Sequence, residues 1–211
     1  ILSPANFGLA EILGREASML LYYVLAMGLT LWIVSAIRGN MTGEISFVLT
    51  IKNRRIIPLI VLTTIALLFG IISPLATLIP MPEVFKEGFR NIASYRGVFA
   101  FILMVIAAPV FEELIFRGIM LEGLLRKYTP AKSILISSLL FGFGHVNPWQ
   151  FIAAFVIGVF SVWVYYKTRS VMPSIIIHGA ANLCGFSVRL FFADTHSVFD
   201  ATLFDIYGGV M

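Results

Sequence analysis

Apolar positions in this chain fall in long unbroken runs rather than in strand-like alternation or a narrow helical stripe. A helix needs about 20 mostly apolar residues, rising about 1.5 Å each, to cross a bilayer. Residues 17–37 and 56–80 form two such runs, each without a charged side chain. A third begins at Gly97 and runs into the segment FEELIFRG, residues 111–118. The next run, 133–166, is uncharged apart from His145 and would span roughly 50 Å as one helix, against a hydrocarbon core of about 30 Å. The pair Asn147-Pro148 breaks it, because the residue before proline avoids the helical region. We therefore expect helices over about 133–147 and 149–167, and a last one from Val171 to about residue 192. The pattern predicts an all-α, polytopic membrane bundle of about six helices in a single domain, 1–211. Residues 1–16 read as an interfacial lead-in, and the apolar end of the tail suggests a further helix beyond the chain end.

The loops orient the bundle. Arg38, Lys52, Arg54 and Arg55 follow the first run; Arg126, Lys127 and Lys132 follow the third; Lys167 and Arg169 follow the fifth. The alternate connections are mixed (Glu83, Lys86, Glu87, Arg90, Arg96) or uncharged, and the tail carries Asp194, Asp200 and Asp205. Basic loops mark the cytoplasmic side. Loops 38–55, 117–132 and 167–170 are expected in the cytoplasm and both chain ends outside. There is no internal repeat of the transporter kind.

Composition agrees. The chain is 59% hydrophobic and 12% charged, about half the charge of an ordinary soluble domain. The net charge of +4 lies in loops rather than in a basic stripe with interleaved aromatics, so no nucleic-acid partner is expected. A single cysteine, Cys184, excludes an internal disulfide and reads as a small buried side chain. The chain begins at Ile1 without methionine, which suggests trimming.

Ionisable side chains at membrane depth are functional candidates. They are Glu112, Glu113, Arg117, His145 and His178, with Asn182 as polar companion. On a helix Glu113 and Arg117 are four apart and share a face, so they pair, which leaves Glu112 as a candidate base. Phe141 lies one turn before His145, and Asn182 one turn after His178. His196, in the acidic tail, reads as solvated. The chain has no G-x-S-x-G elbow and no H-E-x-x-H, and every aspartate lies after residue 193. The remaining chemistry is hydrolysis by an activated water: a glutamate to take a proton, histidines to assist or to bind a metal, and an asparagine to donate to an oxyanion.

E-E-x-x-x-R (Glu112, Glu113, Arg117), F-x-x-x-H (Phe141, His145) and H-x-x-x-N (His178, Asn182), in order on successive membrane helices, resemble the motif set of the CPBP family. That family groups CAAX-type prenyl-protein endopeptidases with abortive-infection and bacteriocin-immunity membrane proteins. The resemblance covers about residues 95–192. It implies that Glu112 and His145 activate the water, that His178 and Asn182 stabilise the oxyanion, and that Glu113, Arg117 and Phe141 support them. In a metalloprotease version, Glu112, His145 and His178 would help to hold Zn2+. The expected partners are a peptide or lipidated protein substrate and membrane lipids, with the site opening to the cytoplasm of a prokaryotic membrane. Two alternatives stay open: a non-catalytic scaffold or bacteriocin-immunity protein that binds a peptide or membrane partner, and a transporter using the Glu/His set as a proton relay. The sequence names neither the substrate nor an oligomeric state.

Overall fold

The computed structural model describes residues 10–80, 82, 94–145 and 147–192. Glu83, Lys86, Glu87 and Arg90, the acidic tail with His196, and most of the lead-in lie outside the described residues.

Among the described residues six helices form the bundle: α1 (Arg15–Thr42), α2 (Ile56–Thr77), α3 (Val98–Lys127), α4 (Pro130–Phe143), α5 (Pro148–Thr168) and α6 (Met172–Phe192). All but α4 are long and apolar enough to cross a bilayer, so this is a multi-pass membrane protein. α4 corrects the expected fourth span. It has 14 residues, about 21 Å, and stops short of a full crossing. It begins earlier than the apolar run because Thr129-Pro130 starts it, with Pro130 at a position where a missing N–H costs nothing. It ends at Phe143, before the Gly-His turn. The break falls at Asn147-Pro148 as expected, and Asn147 also caps α5, its Oδ1 accepting from the Gln150 N–H at 2.8 Å. The α1 end is also set by backbone chemistry: Gly43 sits at φ 72° and returns its N–H to the Gly39 carbonyl at 2.8 Å.

The core lies among α2, α5 and α6, where Ile60, Leu68, Ile72, Ala153, Ile157, Ile177 and Ala181 are buried together. Cys184 is half-buried and packs against its edge. α1 is peripheral: of its residues Ser18 and Met19 are buried, and Met19 packs with Ala100, Leu103 and Met104 of α3 and Phe186 of α6. α4 and α5 approach closely because small residues line their contact. Ser133, Ser137 and Ser138 are fully buried, and a Cβ placed on Gly158 would lie 3.5 Å from the Ser138 Cα and from the Phe141 ring.

The three basic loops gather at one end of the bundle. The Val171 N–H donates to the Val48 carbonyl at 2.9 Å, and Glu44 lies 2.5 Å from Arg126 and 3.4 Å from Arg38. Arg169 reaches Glu122 at 3.6 Å. α4 starts at this end, so the turn after it lies roughly 21 Å inward.

The close α4–α5 contact makes a prediction. Gly158→Leu overpacks it and should lower unfolding stability in detergent by about 1–3 kcal/mol, whereas Gly158→Ala, whose Cβ meets ordinary contact distances, should stay near wild type. Thermal unfolding checks both; an unshifted midpoint for Gly158→Leu would contradict the packing described.

Candidate active site

The site is built on backbone carbonyls that irregular helices leave without partners. α3 is not the uniform helix that a 100° spacing assumes. It winds as a π-helix over Ile102–Ala107 and again over Leu114–Leu121, flanking the α-helical Ala108–Glu113. In the first π stretch the Ala108 N–H bonds to the Leu103 carbonyl, and the next residue, Pro109, has no N–H. Neither can serve the Met104 carbonyl. Asn182 does so instead, its Nδ2 donating at 2.8 Å across from α6. Gly179 permits the approach: a Cβ there would stand 3.2 Å from the Val105 carbonyl.

A second orphan carbonyl fixes His145. The structure places this residue two positions past the end of α4, in the turn before α5, rather than inside a span as the apolar run suggested. Its backbone N–H bonds to Gly142, so the Phe141 carbonyl lacks the usual donor from the residue four ahead. The His145 ring takes that place, with Nδ1 2.9 Å from the Phe141 oxygen. A carbonyl only accepts, so Nδ1 carries the proton and Nε2 keeps its lone pair in the neutral ring.

Glu113 is the hub. It is fully buried, and its Oε2 lies 2.9 Å from the Arg117 Nε, the expected pair. Its other oxygen, Oε1, lies 3.0 Å from His178 Nδ1, and Ser161 donates to Oε2 at 3.3 Å. Glu113 is thus more than a neutralised structural carboxylate: it also orients His178 and leaves Nε2 of that ring to face outward. The Phe141 ring ties the group together. It stands edge-on to His145 (5.1 Å), His178 (5.5 Å) and Phe116 (5.1 Å), and the Arg117 guanidinium lies 4.2 Å from its centre.

A cavity of about 410 Å³ collects these groups. Glu112, His145, His178 and Asn182 all line it, along with Phe141, against an apolar wall that includes Met19, Met27 and Leu103. Glu113 and Arg117 lie behind, fully buried. Two polar lining side chains escaped the sequence reading. Tyr23 of α1 donates its hydroxyl to Glu112 Oε1 at 2.8 Å, so Glu112 is not free as expected. Gln150, at the start of α5, has its Oε1 held by the Asn147 Nδ2. Tyr23 sat in a generic apolar run, and Gln150 was hidden in the N-P-W-Q turn, where the Asn-Pro break was the only signal. Asn182 is a narrower candidate than expected: one Nδ2 proton is engaged by Met104, and its Oδ1 is buried without a hydrogen-bond partner.

Zinc requires a set of at least three protein ligands, and both free Nε2 atoms are of the right type. Among the described residues, however, no three His, Cys, Asp or Glu side chains are grouped to share one ion. Glu112, His145 and His178 therefore do not fit a metal as placed, and no step below runs through one.

Residues 94–184 match the family profile described as type II CAAX prenyl endopeptidase, Rce1-like. That stretch contains every motif residue from Glu112 to Asn182. Over that stretch the chain is similar to the CPBP endopeptidases. Two curated relatives from Lactococcus lactis subsp. lactis (strain IL1403) are similar to this chain. UPF0177 protein YbdI is 34% identical over 86 residues, 40% of this chain and 46% of the relative. UPF0177 protein YxdF is 31% identical over 84 residues, 39% of this chain and 46% of the relative. The matched stretch thus spans about half the length of the curated relatives. No solved structure matches.

The buried hub makes the prediction here. Glu113→Ala or Arg117→Ala leaves its partner's charge buried and unpaired and should cost about 3–5 kcal/mol of stability. Glu113→Gln should in addition impair whatever His178 does, because the amide cannot reproduce a carboxylate shared between ring and guanidinium. Chemical unfolding in mixed micelles measures the first effect. Stability equal to wild type in both alanine variants would contradict the hub.

Proposed function

We propose that this chain is a CPBP-type intramembrane endopeptidase that hydrolyses a peptide bond with water activated by Glu112 and His145. The observation that supports this most is one cavity lined by a carboxylate, Glu112, and by a histidine whose Nε2 is held with its lone pair available, with His178 and Asn182 on the same cavity. Water held between Glu112 and His145 Nε2 gives up a proton as its oxygen attacks the scissile carbonyl. The oxyanion that forms needs donors. His178, when doubly protonated, offers Nε2–H while Nδ1–H stays on Glu113, and the second Nδ2 proton of Asn182 is the other donor. The proton taken from water passes to the leaving amine, which completes the hydrolysis.

The apolar wall suits a substrate of low polarity, a peptide or lipidated protein tail that enters between helices from the surrounding lipid. The loop charges favour placing the basic end in the cytoplasm of a prokaryotic membrane. The scissile bond then travels about 21 Å inward, the length of α4, and the cavity is reached from the cytoplasmic side.

Glu112→Gln and His145→Ala in purified, lipid-reconstituted protein should each lower cleavage by about 10²–10⁴-fold; thermal unfolding should be unchanged in Glu112→Gln and lowered in His145→Ala, which leaves the Phe141 carbonyl without its donor. Retention of full cleavage by both would overturn the peptidase reading. Wild-type activity that disappears with metal removal and returns with zinc would instead require a rearrangement that brings a third ligand to the two histidines.

A further inference from the structure

Glu112 is the group on which the proposed reaction depends, yet its hydrogen-bond partner comes from outside the stretch that matches the family. Tyr23 is on α1, 89 positions away in sequence, and its hydroxyl lies 2.8 Å from Glu112 Oε1. Both side chains line the cavity. Met19 and Met27, one turn before and after Tyr23, line it too, so one face of α1 forms a wall of the site. The rest of α1 is little buried. Its attachment runs through Met19 and Leu20, which pack on the first turns of α3, through the Glu16 carboxylate, which accepts from the Gly97 N–H at 3.0 Å, and through Tyr23 itself, edge-on to Phe111 at 6.4 Å.

We infer that Tyr23 is a positioning residue for Glu112: its hydroxyl holds Oε1, fixes the plane of the carboxylate, and leaves Oε2 as the oxygen that meets water. α1 is therefore a part of the site rather than a membrane anchor beside it. A carboxylate at a helix surface rotates freely about its last bond. A base that must meet one water in one direction gains from having one oxygen engaged. The alternative is a merely structural bond, since a phenol at membrane depth seeks an acceptor and Glu112 is within reach. The two differ in what the loss of one oxygen atom does.

The inference rests on the peptidase reading for its kinetic consequence but not for the coupling itself, and the test separates the two. Tyr23→Phe is compared with Tyr22→Phe, which removes the same hydroxyl one position away, on a residue that does not line the cavity. Tyr23→Phe should lower kcat by about 10- to 100-fold, the range for a lost hydrogen bond to a charged group, with KM within about twofold of wild type. Tyr22→Phe should match wild type. Modification of Glu112 by a hydrophobic carbodiimide, read by mass spectrometry of the intact protein, should be at least about threefold faster in Tyr23→Phe, because Oε1 is no longer engaged. Carbodiimide rates equal in all three proteins would overturn the coupling. Faster labelling with kcat unchanged in an active enzyme would make the bond structural and overturn the positioning role. If the wild type cleaves nothing while labelling still rises in Tyr23→Phe, the peptidase reading fails and the Tyr23–Glu112 coupling stands.

Discussion

Glu113 shares one buried carboxylate between the Arg117 guanidinium and the His178 ring, and the arrangement of the bundle interior follows from that sharing. A carboxylate and a guanidinium out of contact with water are costly unless each finds partners. Both oxygens of Glu113 are engaged, and the Phe141 ring faces the guanidinium. Removing any member leaves an unmet charge or an unheld ring. The cluster therefore fixes how α3, α4, α5 and α6 meet, through Glu113 and Arg117, Phe141, Ser161 and His178 respectively.

The same logic extends outward at lower cost. A proline in α3 deprives the Met104 carbonyl of a donor, and the frayed end of α4 does the same to Phe141. Each carbonyl is then met by a side chain, Asn182 or His145, that also faces the cavity. Two of the reactive groups, Asn182 and His145, are thus held by defects in the helices. Defects of this kind are tolerated at membrane depth when a neighbouring group satisfies the freed backbone atom. Glu112 is the exception among the candidates on α3: it faces the cavity, and its partner is a phenol from the peripheral α1.

Much of this was legible in the residues. Uninterrupted apolar runs gave the helices because a bilayer demands about 20 such residues, and Asn147-Pro148 gave the break because of proline sterics. The i, i+4 spacing paired Glu113 with Arg117, and that pair forms at 2.9 Å. What was not legible depends on distant contacts or on helix irregularity. The His178 bond to Glu113 joins α6 to α3, and nothing local encodes it. Tyr23 looks like any aromatic in an apolar run until α1 is seen against α3. The π-helical turns beside Pro109 and after Glu113 are a choice that α-helical spacing does not anticipate. The early end of α4 at Phe143 came from the Gly-His turn, whereas hydropathy alone placed it four residues later.

The central claim is that Glu112 serves bond hydrolysis at a site the hub holds in place. It is tested most directly by comparing the protein termini in membranes from cells that express either the wild type or Glu112→Gln at equal level. The account predicts a set of new peptide termini, on membrane-associated substrates, that is present with the wild type and absent with Glu112→Gln, while the uncleaved forms accumulate. Identical sets of termini in the two membranes, with both proteins folded and inserted, would contradict it.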